Sequence, residues 1–287
     1  MWLLLPPSFI SICRHPRSFF VSQEAERLLG FSVDDWLRPG FWIDHLHPDD
    51  LGWAPEYFAS CASQIEANSI EYRCVAKDGR KVWLRDIVKV VTEDGVPRWL
   101  RGVMVNITTT KRTENLLHHL AEHDPLTGLA NRALFNDRLH RAVASAQRDK
   151  TTLALMFLDL DKFKPVNDQY GQGVGDLLLQ EVARRMLVCF RDSDAVARVG
   201  GDKFVVLLRN VADQQDVLAV AEKIRASLEQ PFVLADHSIG TSCCIGIATY
   251  PQHGKDDVAL CRNADQAKDQ AKDHGRNQIL MYEGQRA

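Results

Sequence analysis

The periodicity of the chain changes near Asp124, and that change confines it to folds built from two dissimilar units. Before it, EYRCVAKDGRKVWLRDIVKVV (71–91) alternates apolar and polar residues on both sides of Asp78-Gly79, the pattern of a half-buried antiparallel hairpin. A second turn at Glu93-Asp94-Gly95 leads into RWLRGVMVNIT, so at least three antiparallel strands follow a strand and short helices that begin near Phe19. After Asp124 the spacing becomes helical: Phe135, Leu139, Val143 and Ala146 share one face. The apolar run LALMFLDLD (153–161) predicts a buried strand, and Leu178, Val182, Met186 and Cys189 predict a second helix. A glycine turn then joins DAVARV to KFVVLL as a hairpin. A helix through Val217, Ala221, Ile224 and Leu228 follows, then a strand in IGTSCCIGIATY. Alternating helices and strands of this kind predict an α/β sandwich with helices packed on a central sheet. At 287 residues the chain is long enough for both units to bury a core.

Composition narrows the partners. Hydrophobic residues make up 45% and charged residues 25%, with a net charge of -3, which leaves no basic field to hold a nucleic-acid polymer. The seven cysteines (13, 61, 74, 189, 243, 244, 261) form no CxxC pair and no His/Cys cluster at metal-ligand spacing. An odd, scattered set of this kind is expected to be reduced thiols in a cytoplasm. Cys243 and Cys244 are adjacent in a strand-like run, where side chains alternate faces and are poorly placed to bond each other. The apolar opening MWLLLPPSFISIC is short, lacks a basic flank and is broken by Pro6-Pro7, so neither a membrane-spanning helix nor a secretion signal is expected.

With LLGFSVDDW, FWIDHLHPDD, the paired strands and the closing GVMVNITTTKR, residues 19–107 resemble a PAS domain. That resemblance implies a sensor fold, an antiparallel sheet with short helices, placed ahead of an output unit. The family's first strand should precede FFVS, and MWLLLPPSFISICRHPR does not carry its pattern, so a truncated or divergent first strand is expected. The usual aspartate of the closing motif is Asn106 here. No flavin-attachment cysteine motif is present, haem ligation by His15, His45 or His47 competes with surface and capping roles, and the residues name no ligand for the domain. Residues 108–123 are polar apart from Leu116, Leu117 and Leu120, a narrow helical stripe that predicts a signalling helix setting the geometry of a dimer.

In the second unit, Asp159 and Asp161 end a predicted strand and Asp202 lies in the glycine hairpin. Such acids are either solvated strand ends or a carboxylate pair able to hold Mg²⁺. Gly200 and Gly201 would let backbone approach a phosphate. HDPLTGLANR (123–132), FLDLDKFKPVND (157–168), GQGVGD (171–176), ARVGGDKF (197–204) and AKDHGRN (271–277), in this order, resemble the GGDEF domain of the diguanylate cyclase family. The resemblance covers 124–283. It implies condensation of two GTP into cyclic di-GMP by a homodimer, each domain presenting one GTP. It implies two Mg²⁺ on Asp159, Asp202 and the Leu160 carbonyl, guanine reading by Asn167 and Asp176, and phosphate contacts from Lys164, Lys272 and Arg276. It also implies a product-binding RxxD motif at Arg191 and Asp194, for which the alternative is an ordinary surface turn.

Two departures bear on activity. Lys203 stands where the family has glutamate, a change of two charge units beside the expected metals. Unit charges ~4 Å apart at an effective dielectric of ~20 interact by about 4 kcal/mol before screening, and a third of that lowers metal occupancy roughly tenfold. Alternatively the flexible stem carries the ammonium to solvent or onto a phosphate. Lys268 and Asp269 stand where the family has a large apolar residue and a tyrosine, so a helix face that should pack is charged, and Lys272 and Arg276 are expected to be less firmly held. Two functions therefore compete: a nucleotidyltransferase weakened by Lys203, and a catalytically silent module that binds GTP or receives cyclic di-GMP. No phosphodiesterase domain precedes Ala287, and hydrolysis of cyclic di-GMP is not expected.

Overall fold

The computed structural model describes residues 9–15, 18–62, 68–94, 96–191 and 193–284. Met1–Ser8 of the apolar opening, Gly95 of the second turn and Asp192 of the RxxD motif lie outside them. The chain forms two compact units that divide between Leu116 and Leu117.

In the first unit a five-stranded antiparallel sheet has the order β2-β1-β5-β4-β3. Its strands are β1 (Phe9–His15), β2 (Ser18–Val21), β3 (Asn68–Val75), β4 (Lys81–Glu93) and β5 (Val96–Asn106). Between β2 and β3 run α1 (Glu24–Leu29), α2 (Val33–Trp36), α3 (Phe41–Asp44) and α4 (Ala54–Ala62). The alternation that predicted the β3–β4 hairpin sends Tyr72, Cys74, Val82 and Leu84 inward against Leu29, Trp36, Phe41 and Leu46. Gly79 takes φ 83° in the connecting turn, where a side chain would be strained. The HPDD segment is a fastener: Pro48 opens a single helical turn, and Asp50 accepts from Arg73 N, Nε and Nη2 at 2.7, 2.9 and 2.5 Å.

The first strand, expected to be truncated or divergent, is β1. β1 lies between β2 and β5, pairing with β2 from Ile12↔Val21 to His15↔Ser18 and with β5 from Phe9↔Val105 to Arg14↔Leu100. Ladder bonds use backbone groups, so a segment of atypical composition still pairs when a partner strand lies on each side.

One inner-face residue breaks the apolar pattern. Asp86 of β4 is 2% exposed, and its Oδ1 has no hydrogen-bond partner. Gly102 of β5 leaves it room, since a Cβ there would come within 3.1 Å of that oxygen. Burial pushes the carboxyl up to about 7, only partly offset by Tyr72.

The helix α5 (Thr108–Glu122) occupies the predicted linker, with Leu116, Leu117 and Leu120 exposed. The second unit is a three-layer sandwich around a sheet of order β12-β11-β6-β8-β7. The strands are β6 (Leu153–Leu160), β7 (Ala195–Gly200), β8 (Lys203–Arg209), β11 (Cys243–Tyr250) and β12 (Ile279–Met281), with β9 (Phe232–Leu234) and β10 (His237–Ile239) forming a separate hairpin. The neighbours are antiparallel except β11 and β12. β6 is central and buried on both faces, as its continuous apolar run requires.

On one face lie α6 (Arg132–Asp149) and α10 (Asp257–Asp273), whose Phe135, Leu139, Leu260 and Ala264 meet Leu155, Val205 and Leu207. On the other lie α8 (Gln172–Leu187) and α9 (Gln214–Glu229), whose Leu178, Val182, Ile224 and Leu228 meet Met156, Leu158, Val206 and Ile245. The short α7 (Phe163–Tyr170) precedes α8.

The expectation of a loosely packed α10 is corrected. Gly246 of β11 faces α10 so closely that a Cβ would fall 2.0 Å from Lys268 N and 2.2 Å from Ala264 O. Lys268 is 2% exposed, and its ammonium reaches Asp265 at 2.5 Å and Asp269 at 3.0 Å. The hydrocarbon stem fills the place of an apolar side chain while the buried ammonium is neutralised by Asp265 and Asp269.

Candidate active site

The chemistry-bearing residues gather where β6 ends and β8 begins. Asp159 is 4% exposed on β6, and its register partner on β8 is Lys203. Gly200 (φ 138°) and Gly201 (φ 54°) turn the chain between β7 and β8 with no atom near their missing side chains, so a ligand can lie directly on this backbone. Leu160 N donates to Asp202 O at 3.2 Å, stitching the turn to the strand end. Burial and then the neighbouring Asp159 charge push the Asp202 carboxyl upward, against the pull of its own backbone N–H, Lys272 and Lys203. Lys272 of α10 places Nζ 2.7 Å from Asp159 Oδ2; the tight packing of α10 on Gly246 keeps this end of the helix in place.

Two arginines hold the turn from behind. Arg198 donates Nε to Gly201 O at 2.8 Å and Nη1 to both Asp124 oxygens at 3.0 and 3.1 Å. Arg132 donates Nε and Nη2 to Val199 O at 3.4 and 3.2 Å. Burial opposes ionisation of Asp124, but hydrogen bonds from Thr127 and Arg198 outweigh it and hold the carboxyl below its ordinary value. Sequence reasoning gave Asp124, Arg132 and Arg198 no role. Their signal was position: they lie inside the motif runs HDPLTGLANR and ARVGGDKF.

Asp161 does not join the carboxylate pair. Its Oδ2 accepts from Ser242 Oγ at 2.6 Å and Asn277 N at 3.1 Å, its Oδ1 from Cys244 Sγ at 3.3 Å, and Arg276 Nε lies 3.8 Å away. It ties the end of β6 to β11 and to the turn after α10, and so positions Arg276.

The α7–α8 corner brings Asn167 and Asp176 together. Asn167 Oδ1 is buried without a partner and lies where a Cβ on Gly175 would be, 1.8 Å from it. Asp176 follows Gly175 and is half-buried, with no hydrogen bond or ion pair among the described residues. Unspent acceptors at such a corner suit a ligand with several N–H donors. Lys164, one turn before Asn167, is exposed.

Arg191 and Asp194 lie on the connection between α8 and β7. Asp194 Oδ2 accepts from Arg191 N at 3.2 Å and Oδ1 from Arg209 N at 3.3 Å, while Arg191 itself is exposed. The carboxylate shapes the turn, and the guanidinium makes no ion pair among the described residues.

The donor set does not fit a pair of divalent ions. Asp159, Asp202 and the Leu160 carbonyl are present, but the charges of Lys272 and Lys203 act on the same carboxylates. One oxygen of Asp159 is engaged by Lys272, and the side chain after Asp202 is an ammonium. A cavity of about 340 Å³, not lined by these carboxylates, is bounded by Phe135, Leu139, Phe157, Val199 and Cys261 with Arg132 and Asp257 at its polar side.

A family model described as "Diguanylate cyclase, GGDEF domain" matches residues 121–278. The chain belongs to the GGDEF family. A model of the PAS fold matches 18–104, so a PAS domain precedes the GGDEF domain. The bifunctional diguanylate cyclase/cyclic di-GMP phosphodiesterase MucR of Pseudomonas aeruginosa is 44% identical over 176 residues, 61% of this chain and 26% of that protein. The diguanylate cyclase TpbB of the same species is 45% identical over 168 residues, 58% of this chain and 39% of that protein. The chain thus spans less than half the length of either relative. Among solved structures, the GGDEF domain of TpbB is 43% identical with a TM-score of 0.55, covering 56% of this chain and 94% of that one. The coiled coil and GGDEF domain of DgcB from Caulobacter crescentus, solved with c-di-GMP, is 30% identical with a TM-score of 0.53, covering 60% and 95%. The GGDEF family uses Mg²⁺. Among the described residues no helix is long and apolar enough to cross a membrane.

Proposed function

We propose that this PAS–GGDEF chain acts in cyclic di-GMP signalling as a GTP-binding protein whose cyclase activity is suppressed by Lys203. Asn167 and Asp176 accept from the guanine ring N–H and amino group. Lys164, Lys272 and Arg276 contact the phosphates through charge-assisted hydrogen bonds. The glycine turn, braced by Arg198 and Arg132, lays its backbone against the triphosphate. Suppression rests on one observation: Lys203 is paired in register with Asp159 while Lys272 holds the same carboxylate. Asp159 is then engaged by one ammonium and faced by another, which weakens the carboxylate pair that would align a 3′-hydroxyl with the partner's α-phosphate. The exposed stripe of Leu116, Leu117 and Leu120 on α5 supports pairing of two chains, which this chemistry needs because each domain presents one GTP. The free thiols of Cys74, Cys189, Cys243, Cys244 and Cys261 support a cytoplasmic setting.

The test is incubation of the purified chain with GTP and Mg²⁺ and analysis for cyclic di-GMP. GTP is expected to bind with only trace product; rapid conversion of the GTP pool would contradict the reading.

The unpaired guanidinium of Arg191 supports a second role, reception of cyclic di-GMP made elsewhere. Calorimetry is expected to show binding that Arg191→Ala weakens about tenfold, ~1.4 kcal/mol, through loss of a bidentate cation contact. No binding by the unmodified chain would rule this role out.

A further inference from the structure

We propose that this site binds the triphosphate of GTP without a divalent cation, the ammonium groups of Lys203 and Lys272 supplying the positive charge that a metal would otherwise bring to Asp159 and Asp202. The inference rests on the guanine-nucleotide reading above and adds to it the ionic form of the ligand.

The charges around the glycine turn balance within the protein. Asp159 and Asp202 contribute two negative charges, and Lys203 and Lys272 two positive ones. Lys272 Nζ is 2.7 Å from Asp159 Oδ2, close enough for a charge-assisted hydrogen bond. Lys203 follows Asp202 directly and is the register partner of Asp159, and directly opposed side chains in an antiparallel ladder lie on one face within reach of each other. A divalent ion entering here would have to pull Asp159 away from Lys272 and sit beside a second ammonium. Mg²⁺ is held by one or two carboxylates together with phosphate oxygens and gives up its water reluctantly, so a carboxylate pair with Asp159 already engaged by Lys272 and Lys203 opposite it holds the ion poorly.

The same arrangement favours bare polyphosphate. An ammonium on a flexible four-carbon stem is a mobile point charge with three donors, and the Lys203 side chain is exposed at the mouth of the turn. Lys272 can exchange a carboxylate oxygen for a phosphate oxygen without moving α10, which stays locked on Gly246. Gly200 and Gly201 present backbone with no Cβ in the way. Anion binding therefore needs no metal bridge, because the cations that a bridge would supply belong to the chain.

The experiment is calorimetric titration of the full chain with GTP, in excess EDTA and in excess MgCl₂. The two dissociation constants are expected to agree within about threefold. Lys203→Glu is expected to lose at least about tenfold in EDTA and to regain binding with Mg²⁺, because a third carboxylate restores the need for a cation. Lys203→Gln, which removes the charge from an exposed position and keeps a polar chain, is expected to weaken EDTA binding by a smaller factor, separating charge from folding. Binding of GTP by the unmodified chain only when Mg²⁺ is present overturns the inference and leaves the nucleotide reading standing. Absence of GTP binding in both buffers overturns both.

Discussion

Asp159 and Lys203 are partners across the β6–β8 ladder, so the chain places a cation at the backbone position facing the carboxylate that Lys272 holds at 2.7 Å. A glutamate at 203 would make three acids and one lysine of the same group. That single relationship separates a site built to collect metal ions from one that is electrically self-sufficient.

Arg198 is the brace whose removal should be felt most widely. It bridges Asp124 and Gly201 from a half-buried position, and hydrogen bonds to a charged partner contribute about 1.5–3 kcal/mol each way. Arg198→Ala is expected to lower the unfolding free energy of the GGDEF unit by about 2–3 kcal/mol, measured by urea denaturation, and to weaken GTP binding. Arg198→Lys should recover part of the stability, because one donor can still reach Asp124 but the fork cannot span both acceptors. Unchanged stability in Arg198→Ala would show that the brace is idle.

Gly175 tests the guanine corner without touching a functional group. An added methyl would fall 1.8 Å from Asn167 Oδ1, so Gly175→Ala must move that carboxamide, while alanine itself suits a helix. The expected result is a folded protein that binds GTP at least about tenfold more weakly, ~1.4 kcal/mol, with discrimination against ATP reduced. Retained affinity and selectivity would remove Asn167 from the guanine site.

The PAS unit should carry its own pH dependence. Burial raises the Asp86 carboxyl from 3.8 to about 7 in the folded chain, so the unfolded chain releases this proton first as pH rises. Between those values the folded state holds one more proton, and its stability falls by about 1.4 kcal/mol per pH unit from this group. The contribution is complete below pH ~4 and lost once pH passes ~7. Denaturation of the PAS unit at pH 5 and pH 7 should show a difference that Asp86→Asn reduces by about 2 kcal/mol. Equal pH dependence in the two proteins would mean that Asp86 does not titrate in this range.

What the sequence made legible was what repeats or punctuates. The Asp78-Gly79 hairpin, the buried run at 153–160 and the helical faces of α6, α8 and α9 follow from periodicity alone. β1 escaped because its place is set by backbone pairing with strands on both sides, which composition does not encode. α7 escaped because eight residues with Pro165 in the first turn give too little period. Lys268 was misjudged because a charged residue was taken as a polar one along its whole length, whereas its stem is buried and its head paired. At the site, carboxylates and glycines announced themselves by type. The arginines that hold the turn bind backbone carbonyls, and such partners leave no mark in the sequence.

The most direct test of the account is a cyclase assay on Lys203→Glu beside the unmodified chain, with GTP and Mg²⁺ and with cyclic di-GMP separated and quantified. Since ~1.4 kcal/mol is one decade of rate, restoring an acid beside Asp202 and opposite Asp159 is expected to raise product formation at least tenfold. Equal rates in the two proteins would contradict the claim that Lys203 suppresses the reaction.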